Sequence, residues 1–132
     1  MIRTVLVVDD SRTTREAIAE TLESLESPEF GEIEVLLGSS GFEALRLVPL
    51  HRLDLVISDV NMPDIHGFEL LRLLRHDPRT REVPVILIST QAGERDVRQG
   101  LALGATEFLA KPVEKARWVE LGRRYLARAE AR

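Results

Sequence analysis

Five short apolar runs alternate along the chain with five stretches of helical spacing, and this alternation restricts the fold more than any other feature. The runs are VLVV at 5–8, IEVLL at 33–37, LDLVI at 53–57, VPVILI at 83–88 and FLA at 108–110. The first, third and fourth are nearly all apolar, as strands covered on both faces must be. Between them, Ile18, Leu22 and Leu25 keep helical spacing, as do Phe42 and Leu45, then Phe68, Leu71 and Leu74, then Val97 and Leu101. A fifth helix is predicted from about Val113 towards the C-terminus, with Trp118, Leu121 and Tyr125 along one side. Thr13-x-x-Glu16 and Ser40-x-x-Glu43 read as capping boxes. Pro49 and Pro78 stop the second and third helices, and Gly104 ends the fourth.

Five βα units call for a parallel sheet with helices on both faces and right-handed crossovers. With 132 residues, 44% of them hydrophobic, the chain fits one domain spanning 1–132 with a full core. There is no cysteine, so thiolate chemistry is excluded, and the absence fits a reducing cytoplasm. The run at 5–8 is too short for a signal peptide or a membrane span. Residues 1–110 carry 11 basic and 19 acidic side chains, while residues 111–132 carry 7 and 3. The net charge of −4 argues against a nucleic-acid binder, and the basic C-terminal stretch reads as the solvated face of a helix.

In open parallel sheets ligands bind beyond the carboxyl ends of the strands. The first run ends in Asp9-Asp10, the third in Asp59, the fourth in Ser89 and the fifth in Lys111. Parallel strands bring these ends to one edge. Singly, each residue has an ordinary structural reading: Asp10 or Ser11 as a helix cap, Asp59 as a turn residue before Pro63. Together they place three carboxylates, one hydroxyl and one ammonium at one site. Clustered carboxylates must share protons or bind a cation. Hard oxygen donors suit Mg²⁺, and a carboxylate can act as a nucleophile towards phosphorus. Phosphoryl transfer asks for little beyond positioning and charge neutralisation. Of the 18 basic residues only Lys111 and Lys115 are lysine. At the strand end a compact ammonium suits a single phosphoryl oxygen.

The stretches "VVDDS", "DVNMPDIHG", "PVILIS" and "AKP" stand in an order and at a spacing that resemble the receiver domain of two-component response regulators. The resemblance covers nearly the whole chain. It implies a flavodoxin-like, CheY-like (βα)5 fold: a doubly wound five-stranded parallel sheet in the order 2-1-3-4-5. It implies that Asp59 accepts the phosphoryl group. Asp10 would be the principal metal-binding acid, with Asp9 beside it orienting metal-bound water, and Asn61 would give a backbone carbonyl to Mg²⁺. Ser89 would be the switch hydroxyl, Lys111 the phosphate-binding lysine and Phe108 the aromatic that changes rotamer. The implied donor is a sensor histidine kinase or phosphotransfer protein. The implied output is a protein target at the face around the fourth helix, fifth strand and fifth helix, in the cytoplasm, with no nucleic acid or membrane bound by this domain. The Lys111–Pro112 bond is expected to be cis by the same resemblance. The start "DDSRTTRE" is similar to chemotaxis-type single-domain receivers.

Two departures stand out. Thr90 follows the switch hydroxyl where the family has a small Ala or Gly. Ile65-His66-Gly67 replaces the usual Met-Asp-Gly, which removes the acidic start of the third helix and leaves His66 as a solvated loop residue. Thr90 is expected to slow reaction at the site, with Asn61 and Gln91 flanking the same path. His51 and His76 lack a partner at metal-ligand spacing. The leading reading is thus a phosphorylation-controlled binding switch rather than an enzyme, limited to self-phosphorylation and autodephosphorylation. The alternative is an excised N-terminal receiver module of a larger regulator. A phosphohydrolase of the haloacid dehalogenase kind would want an acid two residues after its nucleophile, where this chain has Asn61. The acids and the lysine argue against a receiver that works without phosphorylation.

Overall fold

The computed structural model describes residues 1–127. Five strands, β1 (Ile2–Val8), β2 (Glu32–Gly38), β3 (Leu55–Asp59), β4 (Val85–Ser89) and β5 (Glu107–Ala110), form one sheet in the order β2-β1-β3-β4-β5. Every pairing is parallel. The helices are α1 (Arg12–Glu23), α2 (Gly41–Leu47), α3 (Gly67–His76), α4 (Glu94–Ala102) and α5 (Lys115–Ala127).

The strand pleat divides the core in two. Val5 and Val7 of β1, with Ile57, Ile86 and Ile88, face α1 and α5, where Ile18, Leu22, Trp118 and Leu121 close the layer. Leu6 and Val8, with Val56, Val85 and Leu87, face the other way, onto Ala44, Leu70, Leu71 and Leu74 of α2 and α3. β1, β3 and β4 are therefore buried on both faces, as their unbroken apolar runs require. Each fully buried Leu or Ile contributes about 1.5–3 kcal/mol.

Several boundaries differ from the sequence expectation. β3 begins at Leu55 rather than Leu53, because Asp54 is a clamp: its N–H donates to the Thr4 carbonyl and its Oδ2 accepts from the Thr4 N–H, both at 2.8 Å. β4 begins at Val85, since Pro84 has no N–H to give a ladder. The first helix is capped by Ser11, whose Oγ accepts from the Thr14 N–H at 3.3 Å; Thr13 already lies inside it. Ser40 does cap α2, but the Glu43 carboxylate returns to Ser39 instead of to the cap. α2 ends at Leu47, and Pro49 sits in a short 3-10 turn. Gly104 follows α4 with φ +109°, in the left-handed region that glycine tolerates. Phe42 does not face the core: it is 60% exposed, and Ala44 is buried in its place. In α4 the buried residue is Gly100, not Val97 or Leu101. The α5 positions Trp118, Leu121 and Tyr125 are buried as expected, with Arg123 and Arg124 exposed. The basic residues Arg128 and Arg132 lie outside the described residues.

Candidate functional site

The carboxyl ends of β1, β3, β4 and β5 bring Asp9, Asp10, Asp59, Ser89 and Lys111 to one edge. The order reverses there: β1 continues to β2 on one side, while β3 to β5 lie on the other. Asp9 and Asp59 are buried and Asp10 is exposed. One carboxylate oxygen from each lies within 4.8 Å of the others.

The cluster is held from several directions. Asp9 Oδ1 accepts from the Ser11 N–H at 2.8 Å, and the Asp9 carbonyl accepts from Arg15 at 2.7 Å. Lys111 Nζ donates to Asp9 Oδ2 at 2.9 Å and lies 3.5 Å from Asp59 Oδ2. The Asn61 N–H donates to Asp59 Oδ1 at 3.3 Å, and Asn61 Nδ2 donates to Ser89 Oγ at the same distance. Ser89 Oγ also accepts from the Gln91 N–H at 2.9 Å. The Lys111–Pro112 bond is cis. Burial first, and the Asp9 charge second, push the Asp59 carboxyl above its ordinary pKa, with Lys111 opposing them. Burial works against the Lys111 ammonium, yet its hydrogen bond to Asp9 and the charges of Asp59 and Asp9 raise its pKa overall.

The remaining sequence candidates stand further out. Thr90 is exposed and lines a cavity of about 420 Å³ with Thr13, Ala17, Lys111, Val113 and Trp118. Phe108 is half-buried against Gly100 in the core layer that holds Leu87, and its ring meets that of Phe68 edge to face at 6.3 Å. His66 is exposed and precedes α3, as expected of a solvated loop residue, and its Nδ1 also accepts from the Phe68 N–H at 3.1 Å, which caps α3.

The sequence profile of the response regulator receiver domain matches residues 5–121. The chain belongs to that family. As a receiver domain it is a module of two-component signalling. It is 36% identical to the chemotaxis protein CheY1 of Helicobacter pylori over 109 residues, covering 82% of this chain and 84% of that protein. It is 38% identical to the response regulator PleD of Caulobacter vibrioides over 110 residues, which is 83% of this chain but only 23% of PleD. Among solved structures, the chemotaxis response regulator CheY4 of Vibrio cholerae superposes with a TM-score of 0.83 at 31% identity, covering 95% of this chain and 99% of that one. Among the described residues, no helix of this receiver is long and apolar enough to cross a membrane.

One residue of the site region was not legible in the sequence. Asp64 accepts from the N–H groups of Gly41 and Phe42 and ties the loop after Asp59 to α2. Nothing local marks it, because its partners lie 23 and 22 positions earlier. Only the incomplete self-capping of α2 points to a missing acceptor.

Proposed function

We propose that this receiver takes a phosphoryl group from a phosphohistidine on a sensor kinase or phosphotransfer protein onto Asp59. The carrying observation is the Lys111 ammonium beside both buried acids, Asp9 and Asp59, at the end of the sheet. The three-carboxylate set is a hard, all-oxygen donor cluster of the kind that suits Mg²⁺. Asp9, Asp10 and Asp59 would hold the ion, with the Asn61 backbone carbonyl. When bound, it supplies positive charge that offsets the charge on the transferred group.

The chain's own residues do the rest. Asp59 presents a carboxylate oxygen to phosphorus, and the phosphorus–nitrogen bond of the donor breaks as the phosphorus–oxygen bond forms. Lys111 shifts from Asp9 to a phosphoryl oxygen. Ser89 Oγ, now an acceptor from Asn61 and Gln91, turns to donate to another. Phe108, packed against Gly100 and edge to face with Phe68, reports the change by altering its rotamer. The readout is a protein target at the face of α4, β5 and α5, and the setting is the cytoplasm. The domain acts as a signalling switch and turns over only its own phosphate. A second reading, favoured by the match to 23% of PleD, places this receiver as a module of a larger regulator.

Phosphoramidate, a simple phosphorus–nitrogen donor, tests the reaction. Phosphate incorporation is expected with Mg²⁺, and not with excess EDTA or in Asp59→Asn. Incorporation that survives both treatments contradicts the assignment.

A further inference from the structure

We propose that Asp64 is a positioning residue of the acceptor loop: its carboxylate pins the stretch between β3 and α3 to the start of α2 and so fixes the Asn61 backbone beside Asp59. The inference rests on the reading of Asp59 as phosphoryl acceptor.

The hydrogen-bond accounts of α2 lead to it. The first amides of a helix find no carbonyl within it. In α2 the Glu43 N–H goes to Ser40 Oγ at 3.2 Å, and the Ala44 N–H is the first to reach a backbone carbonyl, that of Ser40, at 3.1 Å. The Gly41 and Phe42 amides are met by Asp64, Oδ1 at 3.0 Å and Oδ2 at 2.8 Å. Oδ1 also accepts from the Ile65 N–H at 2.8 Å. One carboxylate thus joins the loop to another helix and braces the loop's own backbone. These amides, Phe42 first, hold the Asp64 carboxyl down at about 2, so both oxygens are acceptors at any ordinary pH.

Packing makes the same junction. A Cβ on Gly41 would stand 2.7 Å from Ile65 Cβ, so the loop lies against the helix end at a distance only glycine allows. At its far end the loop folds back on itself. The Gly67 N–H donates to the Val60 carbonyl at 2.7 Å, and a Cβ on Gly67 would meet the Asp59 carbonyl oxygen and Val60 Cα at 2.6 Å each. Asn61 therefore lies between two fixed points, the Gly67 fold-back and the Asp64 pin. Loosening the second frees the backbone expected to face the metal.

The test uses the full chain, ¹⁵N-labelled, as wild type, Asp64→Ala, Asp64→Asn and Gly41→Ala. Gly41→Ala wedges the junction open while keeping the Asp64 charge, so agreement between it and Asp64→Ala excludes a through-space charge effect. Glu69→Ala, which removes an exposed pair with Arg72, is the control. The probes are Mg²⁺ alone and then beryllofluoride as a phosphoryl mimic, followed below each variant's melting temperature. Mg²⁺ affinity should fall roughly 3- to 10-fold in Asp64→Ala and Gly41→Ala, and less in Asp64→Asn, which keeps one acceptor oxygen. The Asn61 amide resonance should move in the same order without any ligand. In Asp64→Ala the Gly41 and Phe42 amides should exchange with solvent roughly 10-fold faster or more. The control should match wild type. If Asp64→Ala does not fold, Asp64→Asn and Gly41→Ala decide. Unchanged Mg²⁺ affinity and an unmoved Asn61 resonance would reduce Asp64 to a helix cap and overturn the proposal alone. A wild type that binds neither probe would overturn the phosphorylation reading with it.

Discussion

Lys111 Nζ lies closer to Asp9, at 2.9 Å, than to Asp59, at 3.5 Å. If Asp9 serves a metal ion as proposed, lysine and metal would compete for it. Lys111→Met should bind Mg²⁺ several-fold more tightly than wild type and accept phosphate more slowly. Without Mg²⁺ it should lose about 1–3 kcal/mol of stability, because Asp9 is fully buried and loses its hydrogen-bond donor. Urea denaturation with and without Mg²⁺ measures both effects. Equal losses under the two conditions would contradict the competition.

Asp59→Asn should stabilise the metal-free protein at neutral pH. Burial and Asp9 raise the Asp59 carboxyl above its ordinary value of 3.8. The folded state then holds the Asp59 proton more tightly than the unfolded chain does. This favours folding below the unfolded pKa and turns into a cost as pH rises through the folded one. Asparagine carries no such cost. The gain should thus appear as pH rises through the folded pKa, level off above it, and shrink when Mg²⁺ is added to the wild type. Melting curves of both proteins from pH 3 to pH 8 would show it; a gain that is largest in acid would refute the sign.

Much of this was legible in the sequence. Strand runs at 5–8 and 83–88 announce a sheet covered on both faces, and the residues ending four runs gather at one edge because parallel strands leave no alternative. What escaped depends on side-chain orientation or on contacts far along the chain. Phe42 keeps helical spacing but faces solvent, because the short α2 buries Gly41 and Ala44 instead. The capping of α3 by His66 depends on the imidazole turning back to the Phe68 N–H, which residue identity alone does not specify. Asp64 escaped because its acceptor geometry joins elements far apart in the chain.

Gly100→Ala should destabilise the fold even though alanine favours a helix interior by up to about 1 kcal/mol. The added Cβ would stand 2.6 Å from Phe108 Cδ2 and 3.0 Å from Cε2. The ring must move, at a cost of about 1–3 kcal/mol. A net loss of up to about 2 kcal/mol is expected, with the Phe108 ring resonances displaced. A variant more stable than wild type with unmoved ring resonances would show that α4 yields instead.

Thr90→Ala should lose its phosphate faster than wild type at saturating Mg²⁺, by several-fold. Thr90 is exposed and shares a cavity wall with Lys111, and its branched side chain has few rotamers with which to clear a path for water. In-line attack needs reacting atoms about 3–3.5 Å apart and aligned. An unchanged rate would rule out the steric account. A slower one would make the hydroxyl a participant in hydrolysis.

The Asp59 carboxylate itself should become the acyl phosphate. Borohydride reduction of the phosphodonor-treated protein converts an aspartyl phosphate to homoserine, which tandem mass spectrometry assigns to a position. Homoserine is expected at position 59, dependent on Mg²⁺, with Asp9 and Asp10 unmodified. Homoserine at position 9 or 10, or phosphate retained on a histidine or serine with Asp59 intact, would contradict it.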